Sequence, residues 1–155
     1  MPDHLPHVIV LAGPNGAGKS TSARDVLAET LGVTTYVNAD VIAAGLSGFD
    51  PDAAVVEASR IMVERLRELA EMRANFAFET TLAARSYFTW LRQLNESGYT
   101  IRLYYFWLQS PDIAVARVAV RVRMGGHNIP EGTIRQRYVR SAKNFFRLYR
   151  PLVSY

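Results

Sequence analysis

The residues best suited to chemistry form one short loop, from Gly13 to Ser20, with the sequence GPNGAGKS. The loop matches the pattern G-x-x-x-x-G-K-[ST], in which glycines allow successive backbone N–H groups to turn towards a polyphosphate. Lys19 is expected to reach the β- and γ-phosphates as a point charge, and Ser20 to offer its hydroxyl to Mg²⁺. The pattern therefore predicts a phosphate-binding loop, or P-loop, that binds ATP with Mg²⁺. The residues expected to contact the nucleotide are Gly13, Asn15, Gly16, Ala17, Gly18, Lys19, Ser20 and Thr21.

The surroundings of the loop favour this interpretation over the alternative, a glycine-rich turn that binds nothing. The apolar run HVIVLA precedes the loop at residues 7–12, and a helical pattern follows from Gly18. This strand–loop–helix order brings the positive end of a helix dipole to the loop, where it attracts phosphate. A P-loop indicates triphosphate binding but not the reaction, so other residues have to identify the chemistry.

Polar residues after the second and third predicted strands are candidates for the acceptor side of the site. Asp40 would orient or deprotonate an acceptor hydroxyl as the γ-phosphoryl group departs, or alternatively would only cap a helix over residues 41–46. Glu79 would hold Mg²⁺ through water or bind a substrate hydroxyl, and Thr81 would hydrogen-bond the substrate; a polar helix start is the alternative for both. Arg85 is a further candidate for substrate binding, although a solvated helix face explains it equally well.

Arginines concentrate in residues 117–137, on both sides of a Gly-Gly pair. Two arginine-bearing helices joined by such a hinge indicate a mobile lid that closes over phosphates and excludes water. Arginine suits this task because its guanidinium matches phosphate oxygens and keeps its charge. Arg117 and Arg121 are four residues apart and share one helix face. We expect Arg117 and Arg137 to contact the nucleotide and Arg123 to stabilise charge on the transferred group, the alternative being that several of these arginines face solvent.

Short apolar runs alternate with amphipathic stretches, which is the pattern of a mainly parallel sheet covered by helices on both faces. Strands are expected at residues 7–12, 34–38, 75–79 and 101–108. Helices are expected at residues 18–31 and 85–97. Three more are expected to begin at prolines: at Pro51 with Asp50 as its cap, at Pro111 with Ser110 as its cap, and at Pro130. In such sheets ligands bind beyond the carboxyl ends of the strands, which is where the P-loop, Asp40 and Glu79 are expected.

Composition indicates a single globular domain over residues 1–155, with 49% hydrophobic and 21% charged residues. The chain has no cysteine, which excludes disulfides and thiolate metal ligands. No apolar run is long enough for a membrane span and the N-terminus does not resemble a secretory signal, so we expect a cytoplasmic protein without membrane contact. Residues 111–155 carry nine Lys/Arg against two Asp/Glu, which indicates an anionic partner. We expect nucleotide phosphates in this role rather than nucleic acid.

Four segments of the chain resemble the zeta-toxin family of P-loop kinases. They are LAGPNGAGKST at 11–21, VNADVIAAGLSGFDP at 37–51, FAFETTL at 76–82 and RVRMGGHNIPEGTIRQRY at 121–138. The resemblance implies a three-layer α/β fold of the P-loop NTPase type and a kinase that phosphorylates UDP-N-acetylglucosamine at its 3′-hydroxyl. Many members are toxins held in check by a small helical antitoxin, so such a protein is a candidate partner. Asp40 matches the catalytic aspartate of the family, and Glu79 and Thr81 match its substrate-contacting Glu-x-Thr.

The chain differs from the family pattern at two places. Ala83 stands where the toxins have an arginine two residues after the threonine, and Arg85 is the nearest substitute. Residues 151–155 stand where relatives continue to a further strand, so we expect either a sheet that lacks a C-terminal edge strand or a truncated or shortened form of the protein.

The sequence therefore predicts an ATP-dependent kinase for a small hydroxylated acceptor, and the resemblance implies a UDP-amino sugar as that acceptor. Three alternatives stay open: a kinase for another metabolite, an ATP-binding module that acts through protein contacts without turnover, and a nucleic-acid-binding protein that uses the basic C-terminal part of the chain.

Overall fold

Strand β1, His7–Ala12, lies inside a four-stranded sheet in the computed structural model, which describes residues 4–153 apart from the side chains of residues 29–31. Its residues from Val8 to Ala12 are completely buried because both faces of the strand are covered. This explains why the strand is a continuous apolar run rather than an alternating one.

The other three strands are parallel to β1 or to its neighbour, as the alternation of strands and helices predicts. They are β2 (Tyr36–Val37), β3 (Phe76–Thr80) and β4 (Thr100–Tyr105), and the order across the sheet is β2-β3-β1-β4. The register pairs Ala12 of β1 with Thr80 and with Tyr105. All four strands therefore end at the same edge of the sheet, where the P-loop begins.

Helices cover the sheet on both faces and give the fold three layers. Helix α1 (Lys19–Arg24), which continues in π-helical turns through Asp25–Leu31, packs Ala23 and Leu27 on one face. Helices α3 (Val55–Glu71) and α4 (Ser86–Glu96) cover the other face. Their contact residues on that face include Met62, Leu66, Leu69, Leu91 and Leu94.

The remaining helices follow β2 and β4, and the turns at the end of the last long helix pack on the core of the sheet through Phe145 and Tyr149. Helix α2 (Ala39–Leu46) follows β2 directly, and a 3₁₀ turn, Pro51–Ala54, joins it to α3. Helices α5 (Pro111–Arg123) and α6 (Glu131–Asn144) pack on each other through a small separate core. Helix α6 continues through π-helical turns at Phe145–Tyr149 into a last short helix, α7 (Arg150–Leu152).

Several predicted boundaries are wrong for reasons that involve neighbouring elements. The strand predicted at 34–38 is reduced to Tyr36–Val37, because Asn38 already caps α2. The strand predicted at 101–108 ends at Tyr105, because its partner β1 ends at Ala12. The helix predicted at 18–31 begins at Lys19, because Gly18 is its N-cap in a left-handed conformation, and it widens from α to π geometry at Asp25.

The two predicted caps have different outcomes. Ser110 accepts a hydrogen bond from the Ile113 backbone N–H at 3.3 Å, which confirms it as the cap of α5. Asp50 occupies the N-cap position of the 3₁₀ turn that begins at Pro51, but its side chain makes no cap hydrogen bond. Within residues 4–153, no helix has both the length and the apolar character that crossing a bilayer requires.

The backbone of residues 82–84, after β3, is held by hydrogen bonds from the side chains of Asn144 and Tyr149. Leu82 is buried with a φ of 59°, a conformation that costs a non-glycine residue of the order of 1 kcal/mol or more. The buried Asn144 side chain donates to the carbonyl oxygens of Leu82 and Ala83 at 2.7 and 3.2 Å. The Tyr149 hydroxyl donates to the Ala84 carbonyl oxygen at 3.0 Å. These bonds hold the segment in its strained conformation.

We expect Asn144→Ala to lower the free energy of unfolding by about 1–3 kcal/mol, because it leaves buried carbonyl groups without a donor. Urea denaturation measures this quantity. The neighbouring Lys143→Ala variant, which changes an exposed side chain, is the control and should change stability by less than about 0.5 kcal/mol. Equal effects of the two substitutions would contradict the role of the Asn144 amide.

Candidate active site at the carboxyl edge of the sheet

The P-loop adopts a conformation that only glycines allow at its key positions. Gly13, Gly16 and Gly18 have φ values of 148°, 82° and 85°. A Cβ atom on Gly13 would lie 2.3 Å from the Phe106 carbonyl oxygen, and one on Gly16 would lie 3.0 Å from that of Ala114. The loop is thus packed closely between β4 and α5, and its curvature follows from the absence of side chains.

Lys19 is the buried cation of the site, with 6% of its surface exposed. Its Nζ atom donates to the carbonyl oxygens of Gly13 and Pro14 at 2.7 and 3.0 Å. Burial lowers the pKa of Lys19 to about 8, against the opposing influence of the Glu79 carboxylate, while the positive charge of Arg121 adds to the lowering. At neutral pH the lysine is still protonated, and its partners in the protein are mainly neutral carbonyl groups.

Glu79 lies at the end of β3 and accepts hydrogen bonds from three side chains on one carboxylate oxygen, Oε2. The donors are the Ser20 hydroxyl at 2.8 Å, the Asn38 amide at 2.7 Å and the Tyr36 hydroxyl. Burial and the neighbouring Glu79 charge both raise the pKa of Tyr36, so its hydroxyl stays a donor. The Ser20 hydroxyl and the Glu79 carboxylate, both predicted near Mg²⁺, are therefore adjacent.

Asp40 is exposed in the first turn of α2 and lines the same cleft as Lys19 and Ser20. The alternative in which Asp40 caps a helix at 41–46 is wrong, because the helix begins at Ala39 and its cap is Asn38. The Asn38 side-chain oxygen accepts from the Asp40 backbone N–H at 2.8 Å. The Asp40 carboxylate is consequently not used by the cap.

Two of the three arginines selected from the sequence contact the P-loop. Arg117 on α5 donates through Nε to the Gly16 carbonyl oxygen at 2.6 Å, and Arg137 on α6 donates to the Asn15 side chain at 3.4 Å. Arg123 is exposed in the last turn of α5 and is not among the cleft residues. Its role in stabilising transferred charge stays a prediction.

Arg121 was not among those three, but it is the arginine whose surroundings most resemble an anion site. Its Nε and Nη2 atoms are buried, and neither has a hydrogen-bond partner among the described residues. It lines the cleft and is close enough to Lys19 to lower the pKa of that lysine. The sequence signal for Arg121 is its spacing of four residues from Arg117, which places both arginines on one helix face. Arg123, six residues after Arg117, lies about 240° round the helix from Arg117.

A cleft of about 1140 Å³ joins these groups. It is lined by residues of the P-loop, α5 and the segment 124–128, and by residues of α2 and the turn at residues 49–52. Across its mouth the His127 ring nitrogen Nδ1 contacts the Asp52 carboxylate. Two predicted substrate residues lie outside the cleft: Thr81, whose hydroxyl accepts from the Ala83 backbone at 3.3 Å, and Arg85, which is exposed just before α4.

The residues present fit ATP with Mg²⁺. The glycine cradle, the protonated Lys19 and the unpartnered Arg121 nitrogens are donors for phosphate oxygens. Mg²⁺ prefers oxygen ligands and is usually bound by one or two protein groups together with phosphates and water. The adjacent Ser20 and Glu79 oxygens satisfy that preference, and the described residues contain no denser cluster of metal-ligating side chains.

The parallel sheet, the P-loop and the cleft beyond it define a P-loop kinase-like fold, which implies nucleotide binding. A family model described as "AAA domain" matches residues 8–141, and the chain belongs to that family. An uncharacterized protein of Haemophilus influenzae is 29% identical over 130 residues, which cover 84% of this chain and 91% of that protein.

Three solved structures have the same fold at low sequence identity. A chain of the AvrRxo1-ORF1:AvrRxo1-ORF2 complex with sulphate ions is 18% identical with a TM-score of 0.77, and the match covers 96% of this chain but only 51% of that chain. A chain in the structure of the PezAT toxin-antitoxin system of Streptococcus pneumoniae is 19% identical with a TM-score of 0.71, and the match covers 99% of this chain and 68% of that chain. Shikimate kinase from Acinetobacter baumannii in complex with shikimate is 20% identical with a TM-score of 0.57, and the match covers 97% of this chain and 82% of that chain. Similarities at this level establish the fold alone.

The lowered pKa of Lys19 predicts a pH dependence of nucleotide affinity. Because that pKa is about 8, the free protein loses the lysine charge as the pH rises through 8, and binding must then take up a proton. We expect the affinity for ATP to fall by up to about tenfold per pH unit above that point. Titration calorimetry between about pH 7 and pH 9.5 measures it, with Lys19→Met as the variant in which this dependence disappears. A flat profile for the unmodified protein would contradict the assignment.

Arg121 packs against Gly126 in the loop after α5. A Cβ atom on Gly126 would lie 2.6 Å from Arg121 Cγ and 2.8 Å from its carbonyl oxygen, so Gly126→Ala must displace the arginine. We expect about tenfold weaker ATP binding, the equivalent of one charged hydrogen bond. Gly132→Ala on α6 is the matched control, because a Cβ there meets nothing within 4 Å, and it should leave affinity unchanged. ATP titrations of both variants decide the matter.

Proposed function

We propose that this chain is an ATP-dependent phosphotransferase that transfers the γ-phosphoryl group to a hydroxyl of a small molecule. The observation that carries the proposal is that Asp40 and Lys19 line the same cleft. A phosphate donor held by the P-loop and an acceptor beside Asp40 would therefore meet within that cleft. The likeness of the fold to a shikimate kinase supports the same reaction class.

Each side chain has a distinct part in the proposed transfer. Lys19 and Arg121 bind the phosphates and stabilise the charge that develops on the transferred group. Arg117 and Arg137 hold the P-loop from α5 and α6 and supply positive charge beside it. Arg123, predicted from the sequence for that charge stabilisation, would need the end of α5 to move towards the cleft.

Ser20 and Glu79 would hold Mg²⁺, which when bound neutralises phosphate charge and fixes the orientation of the phosphates. Asp40 accepts the proton of the acceptor hydroxyl or holds that hydroxyl in line with the phosphoryl group. The lid formed by residues 117–137 would exclude water during transfer, with Gly125 and Gly126 as its hinge.

The acceptor is proposed only as a small hydroxylated molecule. The resemblance to zeta toxins and the likeness of the fold to the PezAT structure favour a UDP-amino sugar, and with it a small antitoxin as partner. Ala83 in place of the toxin arginine, and the position of Thr81 and Arg85 outside the cleft, favour another metabolite. We expect the reaction to take place in the cytoplasm, where ATP is available.

The test is acceptor-dependent release of ADP, with the product identified by mass spectrometry as the phosphorylated acceptor. The panel contains UDP-N-acetylglucosamine, other nucleotide sugars, free sugars, nucleosides and hydroxy acids. Asp40→Asn should lower transfer by about 10²-fold or more without loss of ATP affinity, because a positioned base contributes that much. Asp112→Asn, which changes an exposed carboxylate outside the cleft, is the control and should keep its activity.

Two results would contradict the proposal. Tight ATP binding without stimulation by any acceptor would favour the alternative of an ATP-binding module that acts through protein contacts. Full transfer by Asp40→Asn would remove the role given to that carboxylate.

A further inference from the structure

We propose that Asn38 is a positioning residue that links the Glu79 carboxylate to the backbone of Asp40, in the first turn of α2, through a single side-chain amide. The inference rests on the proposed function for its effect on transfer. Its structural basis is independent of that function, because it consists of contacts within the chain.

The two ends of the Asn38 amide have different partners. The oxygen accepts from the Asp40 backbone N–H at 2.8 Å and thereby caps α2. The Nδ2 group donates to Glu79 Oε2 at 2.7 Å and is also within 3.0 Å of the Tyr36 hydroxyl. Because a backbone N–H can only donate, this orientation of the amide follows from the cap itself.

The sheet register explains why Asn38 reaches Glu79. Val37 of β2 is paired with Phe78 of β3, so the next residue of each strand also lies side by side at the carboxyl edge. Asn38 is the point at which the chain turns from β2 into α2. A single residue is thus placed between the end of one strand and the beginning of the helix that carries Asp40.

Asn38 is buried, so the free energy of the folded state depends on its hydrogen bonds. Only 6% of its surface is exposed, and a buried amide is costly unless its donor and acceptor groups are both satisfied. Of the common helix-capping residues, Ser, Thr and Asp can accept from Asp40, but none can also donate an amide N–H to Glu79. The double contact therefore specifies asparagine and not merely a helix cap.

The consequence is a fixed relation between the metal side and the acceptor side of the cleft. Glu79 is held at the position where it meets Ser20, and the first turn of α2 is held at the position that presents Asp40. Removal of the Nδ2 donor should loosen Glu79, which keeps its Ser20 and Tyr36 donors, while leaving α2 in place. Residues that orient groups near a metal in this way typically contribute 10–100-fold to metal affinity or activity.

Asn38→Ser separates the two contacts, because serine caps helices about as well as asparagine but lacks the amide donor. Asn38→Ala removes both contacts. Asn95→Ser makes the same chemical change at an exposed position on α4 and serves as the control. Asn38→Thr takes the place of Asn38→Ser if the latter does not fold.

Three measurements are made on each variant. Hydrogen exchange at the Asp40 amide reports the cap without any ligand. Electron paramagnetic resonance of free Mn²⁺ reports metal affinity of the ATP-bound protein without turnover. Steady-state kinetics with the acceptor found above report kcat and KM.

For Asn38→Ser we expect a protected Asp40 amide, a 10–100-fold loss of Mn²⁺ affinity, and a fall in kcat of similar size with little change in the acceptor KM. Asn38→Ala should in addition lose amide protection, and Asn95→Ser should resemble the unmodified protein. Normal Mn²⁺ affinity in Asn38→Ser would overturn the proposal, as would a loss of affinity matched by Asn95→Ser. If no acceptor supports turnover, the proposed function fails, but the exchange and Mn²⁺ measurements still decide the role of Asn38.

Discussion

The burial of one positive charge, on Lys19, is the constraint on which the rest of the site depends. A buried ammonium group is unfavourable unless polar groups surround it, and here two loop carbonyls and the nearby Glu79 supply that compensation. Arg121 and Arg137 act in the opposite direction, because they add positive charge near the same point. The balance leaves a cleft with unsatisfied donors, which an anion would complete. Phosphate affinity is thus a property of the folded chain and not of the loop sequence alone.

Sequence reasoning predicted those features of the site that depend on residues close together in the chain. The strand at residues 7–12 and the loop after it follow from an apolar run and a glycine pattern within twenty residues. The cap at Ser110 is equally local, because a hydroxyl and a proline at the next position specify a helix start. The location of Asp40 and Glu79 beside the loop follows from a general property of parallel sheets.

The interactions that sequence reasoning missed join residues far apart in the chain. The Glu79 carboxylate meets Ser20, Tyr36 and Asn38, which are 41 to 59 positions away, and no spacing rule relates them. Asn38 was interpreted only as the end of a strand, because its two partners become visible once β2 and β3 are aligned. The end of β4 depends on a partner in the same way, since β4 ends where β1 ends rather than where its own apolar residues do, and β2 ends where Asn38 begins the next helix.

The direct contact of α5 with the P-loop has a mechanical consequence. Arg117 is bonded to Gly16, Arg137 to Asn15, and the Tyr138 hydroxyl to the Leu108 carbonyl oxygen at 2.6 Å, so both helices are fastened to the base of the cleft. An outward swing of the whole helix pair would break all three bonds. A displacement of residues 124–130 would have to break the backbone bonds from Gly125 and Gly126 to the end of α5 and remove the buried Ile129 from the core between α5 and α6. Opening of the cleft by a movement of α5 and α6 would therefore also remove their support from the P-loop.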